Sequence, residues 1–441
     1  MDRQAQFEAL VAVLKAGCES AEQFTLSYDA EASDFIRFNH GQVRQAGHVQ
    51  QASVSLKLIH DGRHADLSLT LADAPTEDRL RLEQALRQLR ETLPLLPVDP
   101  YLLPNTEAWS TESWQTTPLP ESSSVVAQIS EMARGLDLVG IYAAGPIYRG
   151  FASSWGALGW HQANSFNFDW SLFHANGQAV KANYAGLHWD NAACVRQFEQ
   201  AREQLQYLGL PAITLAPGQY RAYLAPAALD EIMSMLAWGG FSAQAIASKQ
   251  SPLQRLYDGE AHLSPLVSLN EHVSGSLSPA FSGEGYPRRD LGLISAGQAG
   301  ERLVDSSSAA EYQLPANGAN GGEWPSALSM AAGELAQEDI LQQLGTGLYI
   351  GNLWYLNFSD QPAARMTGMT RFATFWVEDG RISAPVNTMR FDDSAYSMLG
   401  DQLEALTRER ELILSTSTYE QRQTSSTRLP GALIKRLTLT L

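Results

Sequence analysis

Residues 344–389 read LGTGLYIGNLWYLNFSDQPAARMTGMTRFATFWVEDGRISAPVNTM. Aromatic and aliphatic residues fill Leu348 to Asn357 and again Arg371 to Val377, the composition of strands. Asp379-Gly380 supplies the positive φ angles of a tight hairpin turn, so Arg381 to Val386 is expected to fold back antiparallel to RFATFWV. Within that run Phe372, Thr374 and Trp376 face one way while Ala373, Phe375 and Val377 face the other. Both faces are apolar enough to be covered, which makes the hairpin central in its sheet. The glycines at 345, 347 and 351 leave backbone open to close approach.

Working outward, 441 residues exceed what one core usually organises, so two domains are expected. The net charge of −17 comes without a basic run or helix, and this excludes a phosphate-tracking surface for DNA or RNA. Two cysteines far apart, Cys18 and Cys194, make neither a disulfide framework nor a cysteine-rich zinc site. The first residues alternate charged with apolar positions, and no run reaches the ~20 apolar residues of a membrane span. A reducing cytoplasm is the expected location.

In chain order, Phe7, Leu10, Val11 and Leu14 carry helical spacing. Short strands follow from Thr25 to Leu71, punctuated by Asn39-His40-Gly41 and Asp61-Gly62; then comes a helix with Leu82, Leu86, Leu89 and Leu93 on one stripe. This makes a small α+β domain over 1–96 of helix, antiparallel meander and helix. Prolines at 97, 100, 104, 118 and 120 mark 97–121 as an extended linker. A larger β-rich domain with mixed and antiparallel sheets is expected over 122–441. In it, Ser165 to Phe173 alternates strictly, with Phe166, Phe168, Trp170 and Leu172 opposite Ser165, Asn167, Asp169 and Ser171. Asp190 can cap one helix and Pro226 begin another. Residues 305–325 read as a long polar loop, either a mobile lid or merely tolerated. Tyr396, Leu399, Leu403 and Leu406 read as a further helix, with Asp392-Asp393 capping it, and a strand ends the chain.

Motif tests remove several chemistries. Gly345-Thr346-Gly347 with Gly351 misses the dinucleotide fingerprint by one residue and enters a strand instead of a helix. P-loop and serine-nucleophile signatures are absent. Glu260 and His262 share an expected strand face, with Glu271 and His272 nearby. Carboxylate and imidazole together could bind a metal, although polar residues flanking a loop is the simpler account. Gly345, Gly347, Tyr349, Asn352, Trp354, Tyr355, Arg365, Met366 and Arg371 form the remaining set. Aromatics and Met beside glycines suit an extended peptide held by backbone pairing and side-chain pockets.

The segments 345–349 (GTGLY), 366–368 (MTG) and 375–380 (FWVEDG), with Pro385-Val386 and the early 37–41 (RFNHG), resemble the TldD/PmbA family, formerly described as modulators of DNA gyrase, and within it the TldE/PmbA-type branch. The resemblance runs through nearly the whole chain. It implies dimerisation around an enclosed chamber, and an active TldD-type subunit that is a zinc peptidase with H-E-x-x-x-H on a helix and a later cysteine. The corresponding helix here reads EIMSMLAWGGFSAQAIASK over 231–249, and between Glu231 and Glu260 there is no histidine, glutamate or cysteine. Residues 416–424, TSTYEQRQT, lack the cysteine. The implied role is a non-catalytic subunit, without cofactor itself, paired with a zinc-bearing TldD-type partner or with itself, and acting on unfolded peptides. The alternatives are a hydrolase with an unconventional site at Glu260, His262, Glu271 and His272, and a stand-alone peptide-binding homodimer.

Overall fold

A computed structural model describes residues 2–440. Helix α1 (Arg3–Gly17) starts where the Asp2 carboxylate accepts from the backbone N–H of Gln4 and Ala5, and it buries Phe7, Leu10, Val11 and Leu14. Strands β1 (Gln23–Asn39), β2 (Gln42–His60) and β3 (Arg63–Thr70) form the meander. Its turns hold His40-Gly41 and Asp61-Gly62 at positive φ, the geometry that matches strand twist in a two-residue hairpin. Helix α2 (Pro75–Thr92) presses Leu82, Leu86 and Leu89 into the core shared with α1. The strands are longer than their short apolar runs suggested: β1 and β2 have 17 and 19 residues.

After these come β4 (Ser110–Gln115), α3 (Ser122–Met132), β5 (Asp137–Ser153), β6 (Leu158–Phe173) and β7 (Ala179–Gly186). They join the meander in one sheet of order β3-β2-β1-β5-β6-β4, with β7 also on β6. The hydrogen-bonded unit that begins at β1 therefore extends to β7, and β4 lies within the proline-rich stretch, parallel to β6. On β6 the alternation holds: Phe166, Phe168, Trp170 and Leu172 are buried against α3 and the next helix, α4 (Asn191–Tyr207), which Asp190 caps.

The rest of the chain contributes β8 (Gly218–Leu224), α5 (Pro226–Ala237), α6 (Ala243–Ala247), α7 (Gln254–Tyr257), β9 (Leu269–Glu271), β10 (Leu291–Ser295), β11 (Gln298–Ala299), α8 (Ser306–Tyr312) and β12 (Ala327–Met330). It finishes with α9 (Ile340–Leu344), β13 (Gly347–Asp360), β14 (Arg365–Glu378), β15 (Arg381–Pro385), β16 (Arg390–Ser394), β17 (Leu403–Leu414) and β18 (Ser426–Leu439). Eleven strands form a mixed sheet in which β18, β16, β14, β13 and β8 follow one another and β8 returns to pair with β18, closing a ring. The parallel pairs are β13–β8 and β12–β18. Helix α5 covers this sheet, burying Leu229, Ile232, Met233 and Leu236.

The β14–β15 hairpin forms as its residues require. Asp379 and Gly380 both take positive φ, and Ala373, Phe375 and Val377 are buried. At Gly380 φ is +75°, and an added Cβ would also meet the Gln342 side chain. Gly380→Ala is therefore expected to lower stability by about 1 kcal/mol in thermal or urea unfolding, since only glycine adopts this region without penalty.

Three expectations give way to tertiary context. Of the helix expected from Tyr396 to Leu406, only a single irregular turn forms, Ser397–Asp401; Leu403 and Leu406 belong to β17, which pairs with β18. Asp392 and Asp393 cap no helix. They lie on β16, where Asp392 pairs with Arg365 and Asp393 accepts from Thr438 N. Residues 305–325 are anchored: Asp305 caps α8, and the buried Glu323 carboxylate accepts from Ser242 Oγ and from the backbone N–H of Gln244 and Asp305. Among the described residues no helix is long and apolar enough to cross a membrane.

Candidate functional site

A cavity of about 730 Å³ opens between the two sheets. Its walls are the polar side of β6 and β7, the flank of α4, one side of α5, the start of β13, and the β17–β18 ladder with the segment joining those two strands. Each wall follows from local pattern. Strand alternation that buries Phe168 and Trp170 turns Asp169 the other way, and the stripe that seats α5 on its sheet leaves Asp230, Glu231 and Ser234 on the open side. Trp238 and Trp324 also line the cavity and are largely exposed.

Four carboxylates, Asp169, Asp230, Glu231 and Glu411, face one ammonium, Lys181. Lys181 Nζ lies 3.5 Å from Asp169 Oδ2, yet burial still raises the Asp169 pKa above the ordinary carboxylate value. Burial raises Asp230 too, opposed by Thr427 Oγ1, which donates to Asp230 Oδ1 at 2.6 Å. Glu231 is raised by burial and by the neighbouring Asp230. Glu411 is pushed up to about 7 by burial alone. Asp169 Oδ1, Asn183 Oδ1 and Gln197 Oε1 are buried and have no protein hydrogen-bond partner. Such a lining favours a ligand that brings N–H donors or positive charge.

The residues do not fit a bound zinc ion. No imidazole or thiolate lines the cavity, Asp230 is held by Thr427, and Asp169 by Lys181. Among the described residues no three His, Cys, Asp or Glu side chains gather in a way that could hold a metal ion.

The set read from 345–371 is divided in space. Tyr349 and Asn352 line the cavity, and Tyr349 Oη accepts from Gln204 Nε2 at 3.2 Å. Trp354, Tyr355 and Arg371 form an outer cluster on the β13–β14 hairpin, with the Arg371 guanidinium 4.0 Å from the Trp354 ring centre. Arg365 lies at the far end, paired with Asp392. Met366 is fully buried in the core, and a Cβ on Gly347 would strike Arg221 O, so that glycine serves strand packing. Gly345 ends α9 in a positive-φ conformation. Glu260, His262, Glu271 and His272 do not assemble either. Glu260 and His262 are in irregular backbone, not on a strand. Glu271 is buried, pairs with Arg288 and accepts from Ser326 N and Ala327 N, and His272 Nδ1 lies 3.0 Å from Asp290 Oδ2. Sequence reasoning missed Asp230, Glu231 and Glu411 as site residues, although the helical spacing of Leu229, Ile232, Met233 and Leu236 is a signal that leaves Asp230 and Glu231 off the buried face of α5.

Comparisons with known proteins bear on the fold and on the family separately. Three solved structures share the fold over essentially their whole length. A Thermotoga maritima protein described as a candidate modulator of a DNA gyrase is 16% identical, with TM-score 0.75 over 99% of this chain and 100% of its own. TldE from Thermococcus kodakarensis is 15% identical, with TM-score 0.77 over 99% and 100%. A Bacteroides thetaiotaomicron protein described as a candidate modulator of DNA gyrase is 15% identical, with TM-score 0.74 over 100% and 98%. At such identities the likeness is one of fold. No curated protein matches the sequence. The model of the PmbA/TldA metallopeptidase C-terminal domain matches residues 217–441, just over half the chain and the whole of the closed-ring sheet. The strands that carry GTGLY and FWVEDG lie inside that match, and the chain therefore belongs to the TldD/PmbA family.

Proposed function

We propose that this chain is a TldE-type, non-catalytic subunit that holds extended peptide in the inter-sheet cavity and works beside a zinc-bearing TldD-type partner. The observation that carries the reading is the lining: carboxylates, amides and exposed tryptophans surround a space large enough for several residues of peptide, without an imidazole or thiolate for a catalytic metal. Peptide N–H groups and basic side chains meet Asp169, Asp230, Glu231 and Glu411, while Trp238 and Trp324 offer flat apolar contact. Water activation is left to the partner, because nothing in this lining lowers the pKa of a water molecule to neutrality.

The test is metal analysis and peptidase assay on the purified chain, alone and after co-expression with a TldD-type subunit. Substoichiometric zinc and no cleavage alone, with both appearing in the co-purified pair, is the expected result. Stoichiometric zinc and proteolysis by the chain alone overturn the reading. In a binding assay with an unfolded basic peptide, Asp230→Asn with Glu231→Gln is expected to weaken affinity roughly tenfold or more, the scale for losing charge-assisted hydrogen bonds.

A further inference from the structure

On the far side of the β17–β18 ladder lies a second cavity, of about 460 Å³, lined by Asn270, His272, Gly275, Ser329, Arg410 and Arg428. Strand register explains its composition. Asn270 pairs with Ser329 across β9–β12, Ser329 with Arg428 across β12–β18, and Arg428 with Leu412 across β18–β17. Paired residues share a face, so Asn270, Ser329 and Arg428 form one row, and Arg410, two residues before Leu412, joins it. Glu411 and Thr427 point to the opposite face and line the acidic cavity. The ladder thus separates an acidic site from a basic one.

The basic site is anomalous in a chain of charge −17. Among the described residues neither Arg410 nor Arg428 has a carboxylate within ion-pair distance, whereas many other arginines of the chain do. Arg410 is held in place, its Nη1 donating to Met330 O at 3.0 Å and to Ser329 Oγ at 3.2 Å. Arg428 is half-buried, and its guanidinium makes no protein hydrogen bond among the described residues. Burial and the Arg428 charge together lower the Arg410 pKa. His272 is fixed by Asp290, and its ring lies over Gly275, where a Cβ would come within 2.2 Å of Nε2. Two guanidiniums kept together on rigid strands repel each other unless an anion lies between them. One carboxylate would neutralise only one of them. A phosphoryl dianion matches both, and its oxygens suit the planar fork of each guanidinium, with the Asn270 amide and Ser329 hydroxyl as further donors.

We propose that the cavity bounded by Arg410, Arg428, Asn270, Ser329 and His272 is a binding site for a phosphoryl dianion, either free phosphate or the phosphate group of a small molecule. It shares no lining residue with the inter-sheet cavity on the other face of the ladder.

The test is calorimetric titration of the full chain, purified in phosphate-free and sulfate-free buffer, with inorganic phosphate, phenyl phosphate and succinate in separate arms. Saturable binding of inorganic phosphate or phenyl phosphate is expected, weakened roughly tenfold or more by Arg428→Gln and abolished by Arg410→Gln with Arg428→Gln. Tighter binding of phenyl phosphate identifies a phosphorylated small molecule as the source; preference for inorganic phosphate identifies the free ion. Circular dichroism checks that each variant is folded. Arg410→Gln alone, expected to weaken binding similarly, serves if Arg428→Gln does not fold. Absence of saturable phosphate binding, equal affinity in folded Arg428→Gln or Arg410→Gln, or succinate binding as tightly as phosphate overturns the proposal.

Discussion

Arg422→Met is expected to destabilise the protein by about 3–5 kcal/mol, the scale for removing one member of a buried charged network. Arg422 lies in the segment between β17 and β18 but is buried against the first sheet. Nη2 donates to Ser165 O at 2.9 Å and to Ser165 Oγ at 2.6 Å; Nη1 donates to Gly145 O at 3.1 Å and to Ser33 Oγ at 3.3 Å. Its own carbonyl accepts from Nη2 of Arg149, and Arg149 Nε is 2.9 Å from Asp29 Oδ1. Burial pulls the Arg422 pKa down to about 10, with Glu31 the chief opposing charge, so the guanidinium stays ionised at neutral pH. Methionine fills the volume and supplies no donor. The carbonyls of Gly145 and Ser165 lose their guanidinium donor, and the buried Glu31 loses its compensating charge. The loss should appear in thermal unfolding and as new protease cleavage between 415 and 425, because Arg422 ties that segment down. Ser415, Thr416 and Ser425 line the inter-sheet cavity, so on the proposed function peptide affinity should fall with it. A melting temperature within a degree or two of the parent, with the segment still protected, would show that the network contributes little.

What the sequence makes legible is local. Asp379-Gly380 and the aromatics beside it specify the β14–β15 hairpin because turn chemistry and strand composition agree there. Pro226 and the Leu229–Leu236 stripe specify α5 for the same reason. Residues 403–414, LEALTRERELIL, are rich in helix formers, yet they form β17. The partner that decides this is β18, with Leu412 opposite Arg428 and Leu414 opposite Ser426, and no local pattern reveals it. The cavity was hidden in the same way. Asp169, Asp230 and Glu411 stand 61 and 181 positions apart in sequence, each unremarkable alone, and only the closing of β8 onto β18 and the seating of α5 bring them round one space. Tyr349 and Asn352 were legible because they sit on the hairpin that organises the fold; Met366 and Gly347, equally prominent in the sequence, are spent on packing.

The cavity should also respond to pH through Glu411. Its pKa is raised from 4.5 to about 7 because burial penalises the carboxylate. Folding therefore favours the protonated form, and the sign follows: the contribution is fully present below pH 4.5 and is lost as pH rises through 7. Asp169, Asp230 and Glu231 are raised as well, so the parent protein should lose stability with rising pH from several groups at once. Glu411→Gln isolates one of them. Melting curves of parent and variant are expected to converge at and below pH 4.5, to separate between about pH 4.5 and 7, and to run parallel above that, the variant being the more stable by about 3 kcal/mol, the equivalent of the shift. Parallel curves from pH 5 to 9 would remove Glu411 from the account. The same group links protonation to binding. A basic peptide favours the ionised carboxylate, so its binding near pH 7 should release a proton that Glu411→Gln does not release. Calorimetric titration in two buffers of different ionisation enthalpy reads that proton directly: the parent's observed heat should depend on the buffer and the variant's should depend on it less. An equal buffer dependence in both would mean that the peptide does not approach Glu411, and the cavity assignment would then need another wall.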